Sequence, residues 1–121
     1  MRAPVVLLST FMAAPAYALD VADLPTWSAE AHVVRGGMSR DTVLVFTRTA
    51  PGTWRVRAEC QLTNVKTRKW TAHRGTGTAR MHQGFVVGEL GGLGRMVVAA
   101  DRLSIDDARC ASGPVTLGTG D

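Results

Sequence analysis

The sequence contains few of the residue spacings by which small enzymes and metalloproteins are usually recognised. Its 121 residues include two cysteines and three histidines, and no CxxC, HxH or HxxxH spacing occurs. Without such spacings no redox pair and no preformed metal site is predicted. After residue 18 no apolar run approaches the ~20 residues that a bilayer-spanning helix needs, so no membrane span is expected.

Motifs for nucleophilic catalysis and for phosphate binding are also missing. None of the serines lies in a GxSxG context, and the glycine clusters at Gly75–Gly77 and Gly91–Gly94 are not followed by Lys-Ser or Lys-Thr. Hairpin turns explain those clusters better than a nucleotide-binding loop does. The neighbouring carboxylates Asp106 and Asp107 would point to opposite faces of a strand, so a turn is their expected place. No cofactor is predicted.

The histidines leave one catalytic alternative open. His73 and His82 would meet if their segments formed a hairpin, and with Asp101 they would make a small periplasmic hydrolase or a metal-dependent enzyme. Surface or edge histidines are the simpler interpretation, because a zinc or copper site needs three or four converging ligands.

The N-terminus has the layout of an export signal. Arg2 precedes a mostly apolar stretch from Val5 to Ala14, and small residues end at Ala18, so cleavage between Ala18 and Leu19 is expected. Arginine outnumbers lysine twelve to two, which is typical of GC-rich bacterial genomes. The sequence therefore predicts a periplasmic or secreted bacterial protein, with residues 1–18 as its signal peptide.

The two cysteines, Cys60 and Cys110, both follow the predicted signal. An even number of cysteines in a small exported domain favours a disulfide bond, since the periplasm is kept oxidising. Closing a loop of about 50 residues would stabilise the fold by ~4 kcal/mol in the chain-entropy model.

Short alternating segments predict an all-β domain. The clearest lies at Trp54–Leu62, where one residue in two is apolar and Cys60 falls on the apolar side. Residues 27–34 suit a half-buried strand and equally a three-turn helix, and we favour the strand because every later segment has strand character. Further strands are predicted at residues 42–48, 69–74, 76–82, 84–90 and 95–100, and shorter pieces with alternating residues follow at 103–105 and 115–117.

Six to eight short strands with glycine turns are typical of a small antiparallel sandwich or barrel, and the spacing does not distinguish the two. We predict a single β-domain at 27–118, preceded by a loosely held lead-in at 19–26 and followed by a frayed C-terminus at 119–121.

Positive charge is concentrated in one block of the chain. From Arg55 to Arg80 one acid, Glu59, accompanies seven basic residues, whereas residues 83–121 carry a net charge of −2. The seven are Arg55, Arg57, Lys66, Arg68, Lys69, Arg74 and Arg80. If their strands pair, Arg55, Arg57, Arg74 and Arg80 would share one outer face that attracts anions, with the loop Lys66–Lys69 at its end.

The charge block and the absence of a catalytic motif favour a non-catalytic binding module. The expected partner is an envelope protein or an anionic polymer of the cell envelope, bound through the basic face. Nucleic acid is not an expected partner, because export removes it from reach and both Trp54 and Trp70 are expected in the core.

Overall fold

A computed structural model describes residues 19–119 as an eight-stranded antiparallel barrel. The predicted signal peptide and residues 120–121 lie outside the described part. Each strand pairs with the next, and β1 pairs with β8 to close the barrel. The strands are β1 (Thr26–Arg35), β2 (Met38–Ala50), β3 (Thr53–Asn64), β4 (Trp70–His82), β5 (Phe85–Leu90), β6 (Gly94–Val98), β7 (Arg102–Ile105) and β8 (Gly113–Gly118).

The prediction of an all-β fold is confirmed, and of the two predicted architectures, sandwich and barrel, the structure is the barrel. Residues 27–34 form a strand within β1, as favoured. Residues 106 and 107 lie in the connection from β7 to β8, outside any strand, as expected. In the part of the chain that the structure describes, no helix is long and apolar enough to cross a membrane.

Side chains fill the inside of the barrel, because one residue in two along each strand points inward. Three aromatic rings form the centre: Trp27 stacks on Phe46 with ring centroids 3.8 Å apart, and Trp54 meets Trp27 edge to face at 5.7 Å. All three are completely buried, as are Leu44 and Met96. An interior packed in this way is typical of small barrels and stabilises them by burying apolar area.

One continuous strand, β4, replaces the two strands predicted at 69–74 and 76–82. The glycines that suggested a break lie inside it. At Gly77 the strands come so close that a Cβ atom would overlap the backbone carbonyl of Glu89. Glycine is therefore needed there for the tight approach of β4 and β5 and not for a turn.

One end of the barrel, which we call the lead-in end, is covered by residues 19–25. Leu19 and Val21 are buried in the core, and the Leu19 amide donates a hydrogen bond to the Gly84 carbonyl at 3.0 Å. Arg48 fixes the segment further, because its amide donates to the Pro25 carbonyl at 2.8 Å. The prediction of a loosely held lead-in is therefore wrong: two apolar side chains anchor the segment to the core.

The opposite end, the disulfide end, is closed by the loop 106–112. Cys110 is joined to Cys60 of β3 in the predicted disulfide bond, with Cα atoms 4.9 Å apart. The buried Thr42 hydroxyl accepts a hydrogen bond from the Ala111 amide at 2.7 Å and donates one to the Ala111 carbonyl at 3.1 Å. This loop is held by a covalent bond and by polar contacts that water does not reach.

Candidate functional site

Four of the seven basic residues form a group on the outer wall of the barrel. Arg55 and Arg57 alternate with the buried Val56, so their side chains point outward from β3. On β4, Arg74 and Arg80 lie on the same outward side. We call these four side chains the arginine row.

Strand register places the members of the row next to one another. Arg55 lies opposite Thr78, and Arg57 lies opposite Thr76. Each of these arginines therefore has an arginine of β4 as its diagonal neighbour, Arg80 for Arg55 and Arg74 for Arg57. Diagonal neighbours have Cα atoms roughly 7–8 Å apart, which is within reach of long side chains. The four arginines thus occupy adjacent positions on the outer wall.

Most of this charge has no counter-ion among the residues that the structure describes. Arg74 pairs with Glu59 at 3.3 Å, between two exposed side chains, so the pair is screened by water. Arg55, Arg57 and Arg80 have no ion pair with any residue of the range 19–119. Three positive charges of the row are therefore free for an external anion.

Two shallow grooves flank the row. The larger, of about 630 Å³, lies over β3 to β6 and combines Arg80 and Arg95 with the apolar Val87 and Val97. The smaller, of about 420 Å³, lies over β2 to β4 and includes Arg57, Arg74 and the exposed Val43. Both grooves also contain carboxylates, Glu89 in the larger and Asp41 with Glu59 in the smaller. Glu89 pairs with Arg95 at 3.5 Å, so Arg80 and Arg57 are the cations of the two grooves that have no ion pair within residues 19–119.

The remaining three cations, Lys66, Arg68 and Lys69, lie apart from the row in the turn between β3 and β4. The turn is fixed by Asn64, whose side-chain oxygen accepts hydrogen bonds from the amides of Lys66 and Thr67, each at 3.0 Å. Arg68 adopts a left-handed backbone with φ of 66°. The structure thus divides the seven predicted residues into a group on the wall and a group at the disulfide end.

The histidines do not form a common site. His73 and His82 lie on the same strand, nine residues apart, so roughly 30 Å of extended chain separates them. Their odd separation also points them to opposite faces of the sheet. Asp101 lies in the turn between β6 and β7, so the grouping of His73, His82 and Asp101 that an enzyme would need is not assembled. Across residues 19–119 no three His, Cys, Asp or Glu side chains lie where they could hold a metal ion.

The other charged contacts support the fold at the disulfide end. Asp107 accepts hydrogen bonds from Arg109 at 2.6 and 2.9 Å, and Arg109 also lies 3.1 Å from His73 Nδ1. The hydrogen bond from Arg109 holds the pKa of Asp107 at about 2, below its ordinary value of 3.8, against the opposing effect of burial. Arg109 in turn has its pKa raised by Asp107. The ion pair lies within the closing loop, and the contact of Arg109 with His73 links that loop to β4.

Trp70 is on the outside of the protein, contrary to expectation. Its side chain is 59% exposed, whereas Trp54 is completely buried as predicted. The signal was present in the sequence: in one uninterrupted strand, Trp70 is separated from Arg74 and Arg80 by even numbers of residues and so shares their outward side. The predicted strand 69–74 already contained Trp70 and Arg74 at an even separation, and the prediction missed the signal because it assigned the tryptophan to the core by its apolar character.

The chain matches no protein-family model, no curated protein and no solved structure. The arrangement of its own residues is therefore the basis for a proposal on its function.

Proposed function

We propose that this protein is a non-catalytic, exported β-barrel that binds an anionic partner through the arginine row. The partner is an acidic surface of an envelope protein or an anionic polymer of the cell envelope. The observation that carries the proposal is the set of three outward guanidinium groups, those of Arg55, Arg57 and Arg80, which have no carboxylate partner within residues 19–119.

The location of the row on rigid strands supports this proposal. Its members sit on the two longest ladders of the barrel, those that β3 forms with β2 and β4. Binding groups held on strands keep their mutual spacing, so less conformational entropy is lost when a partner orders them. The packed interior also supports binding on the outer surface of the barrel. Aromatic rings fill the space in which larger barrels hold ligands.

Export is the second part of the proposal. The N-terminal signal pattern predicts it, and the Cys60–Cys110 disulfide is compatible with an oxidising compartment. Detection of a chain that begins at Leu19 in periplasmic or culture fluid, by mass spectrometry, would test this part separately.

Retention on a phosphate-bearing matrix at low salt tests the row. We expect reversal of all four arginines, R55E, R57E, R74E and R80E together, to abolish retention on phosphocellulose and on envelope fractions. The two partners are told apart by treating the envelope fraction with protease, since retention on a polymer survives and retention on a protein does not.

A matched pair of single variants separates the row from net charge. Arg57→Glu and Arg102→Glu change the charge equally, and both side chains are exposed on strands. We expect Arg57→Glu to elute at a clearly lower salt concentration than Arg102→Glu, because electrostatic binding depends on local charge density. Equal elution of the two variants would show that the row has no special role.

A further inference from the structure

A second surface lies where the hairpins β1–β2 and β3–β4 end. Along β4, pairing with β5 begins at Gly77, and β1 pairs with β8 at residues 28–31. The four strands therefore continue past the point where the barrel closes. A hydrogen bond from the Val65 amide to the Gly37 carbonyl, of 3.0 Å, joins the two hairpin ends into one tip.

Exposed apolar side chains cover the outer side of this tip. Val34 is 57% exposed, Val65 49% and Trp70 59%, and these are the three most exposed large apolar side chains of residues 19–119. Val34 and Trp70 occupy the two ends of one cross-strand row, with Ser39 and Thr63 between them. Three strand spacings give the row a length of about 14 Å.

Positive charge surrounds these apolar side chains. Arg35, Lys66, Arg68 and Lys69 are all exposed at the tip, and residues 31–40 and 60–73 contain no aspartate or glutamate. Three acids border these segments: Asp41 is hydrogen-bonded to His32 at 2.6 Å, Glu59 pairs with Arg74 at 3.3 Å, and Glu30 lies further along β1 from the hairpin end. The tip thus has an uncompensated charge of +4 beside an exposed indole ring.

This combination matches the interfacial region of a lipid bilayer. Tryptophan favours the headgroup level of membranes, where its apolar ring and its N–H group are both accommodated. Lysine and arginine beside it are attracted to anionic headgroups. The two grooves lie on the barrel wall and neither includes Trp70, so the tip presents a row of side chains suited to a planar partner.

We infer that the tip docks on the surface of anionic lipid bilayers, with Trp70 entering the headgroup region and Lys66, Arg68 and Lys69 contacting lipid phosphates. This inference assigns a partner to the three loop cations and so rests on the proposed anion-binding function. It uses a different surface from the arginine row, and the two therefore fail separately.

Tryptophan fluorescence provides a direct test, because the other two tryptophans are completely buried. Protein purified after export, with its N-terminus determined by mass spectrometry, is mixed with vesicles of phosphatidylcholine alone or with phosphatidylglycerol in about equal parts. We expect a blue shift of Trp70 emission and protection from acrylamide with the anionic vesicles only. Unchanged emission with anionic vesicles, a similar shift with neutral vesicles, or a shift caused by inorganic phosphate would each overturn the inference.

Two double variants, each of which removes two positive charges, show which surface of the protein contacts the bilayer. Lys66→Gln with Lys69→Gln should lower partition onto the anionic vesicles by about 25-fold, since each cation near an anionic surface gives roughly a fivefold gain. Arg55→Gln with Arg57→Gln should change it by less than about threefold, because the wall stays away from the bilayer. An equal loss in both would assign binding to net charge and refute docking through the tip.

The results of the two tests are separable. If the tip variants keep their vesicle binding while reversal of the arginine row still abolishes retention on phosphocellulose, docking through the tip fails and the proposed function stands. Trp70→Ala, which keeps every charge, should also lower vesicle partition. Full partition of that variant would exclude entry of the indole ring.

Discussion

The two ends of the barrel are closed by different physical means. The lead-in end is covered by residues 19–25, which hold on through the buried side chains of Leu19 and Val21 and a few backbone hydrogen bonds. The disulfide end is closed by residues 106–112 through a covalent bond and the Thr42 hydroxyl. The apolar contacts of residues 19–25 are lost whenever that segment opens. The disulfide persists when its loop opens, and it also lowers the conformational entropy of the unfolded chain. The difference implies that the lead-in end opens first.

The largest expected effect comes from removing the covalent closure. Replacing both cysteines, Cys60→Ala with Cys110→Ala, should lower the free energy of unfolding by about 4 kcal/mol, because a 50-residue connection is no longer closed in the unfolded chain. Urea unfolding followed by circular dichroism measures this. The original protein unfolded in reductant serves as the control, and a loss below about 1 kcal/mol in both would contradict the role given to the disulfide.

A smaller effect is expected at the lead-in end. Val21→Ala should cost about 2 kcal/mol, since it removes buried methyl groups and leaves a partly filled space. Val34→Ala is the matched control, because Val34 is exposed, and its cost should be near zero. Hydrogen exchange should show faster opening of residues 19–25 in the Val21 variant with residues 106–112 unchanged. Coupled opening of both ends would refute their independence.

The smallest expected effect is the change in the stability of the fold at low pH. Because Arg109 lowers the pKa of Asp107 to about 2, the pair stabilises the fold above the unfolded value of 3.8, and this contribution is lost as the pH falls toward about 2. The pair is partly exposed, so we expect no more than about 1 kcal/mol. Asp107→Asn should be less stable than the original protein near neutral pH and equal to it near about pH 2. If the two proteins differed in stability by the same amount at all pH values, the titration of Asp107 would not be the cause of the difference.

The strand pattern of this fold could be predicted where burial alternates strictly. At Trp54–Leu62 the apolar residues and the arginines separate cleanly, so the sequence indicates both faces and the buried Cys60. At β4 the pattern fails, because Gly75 and Gly77 take inward positions that apolar residues would otherwise mark. Closure into a barrel could not be predicted from the alternation of residues either, because it depends on the pairing of β1 with β8, two strands that are far apart in sequence.

The composition of the candidate site could be predicted from charge counts, whereas its arrangement could be predicted only on the condition that β3 and β4 pair. Counting charges identified all seven basic residues, and alternation along β3 placed Arg55 and Arg57 outward. The division into wall and tip was expected only on the condition that β3 and β4 pair, and the register of the two strands and the turn at Asn64 fulfil that condition. The exposure of Trp70 was missed because its apolar character was given more weight than its alternation with Arg74.

The aromatic centre gives the molecule two separate optical reporters. Trp27 and Trp54 meet almost perpendicularly inside the barrel, at an interplanar angle of 82°, so their electronic transitions are close enough to couple and to contribute a paired band to the circular dichroism spectrum. That band depends on the interior alone. The steady-state emission of Trp70 depends on the solvent at the tip, and an experimenter can therefore follow folding and surface contact in one sample without attaching a dye.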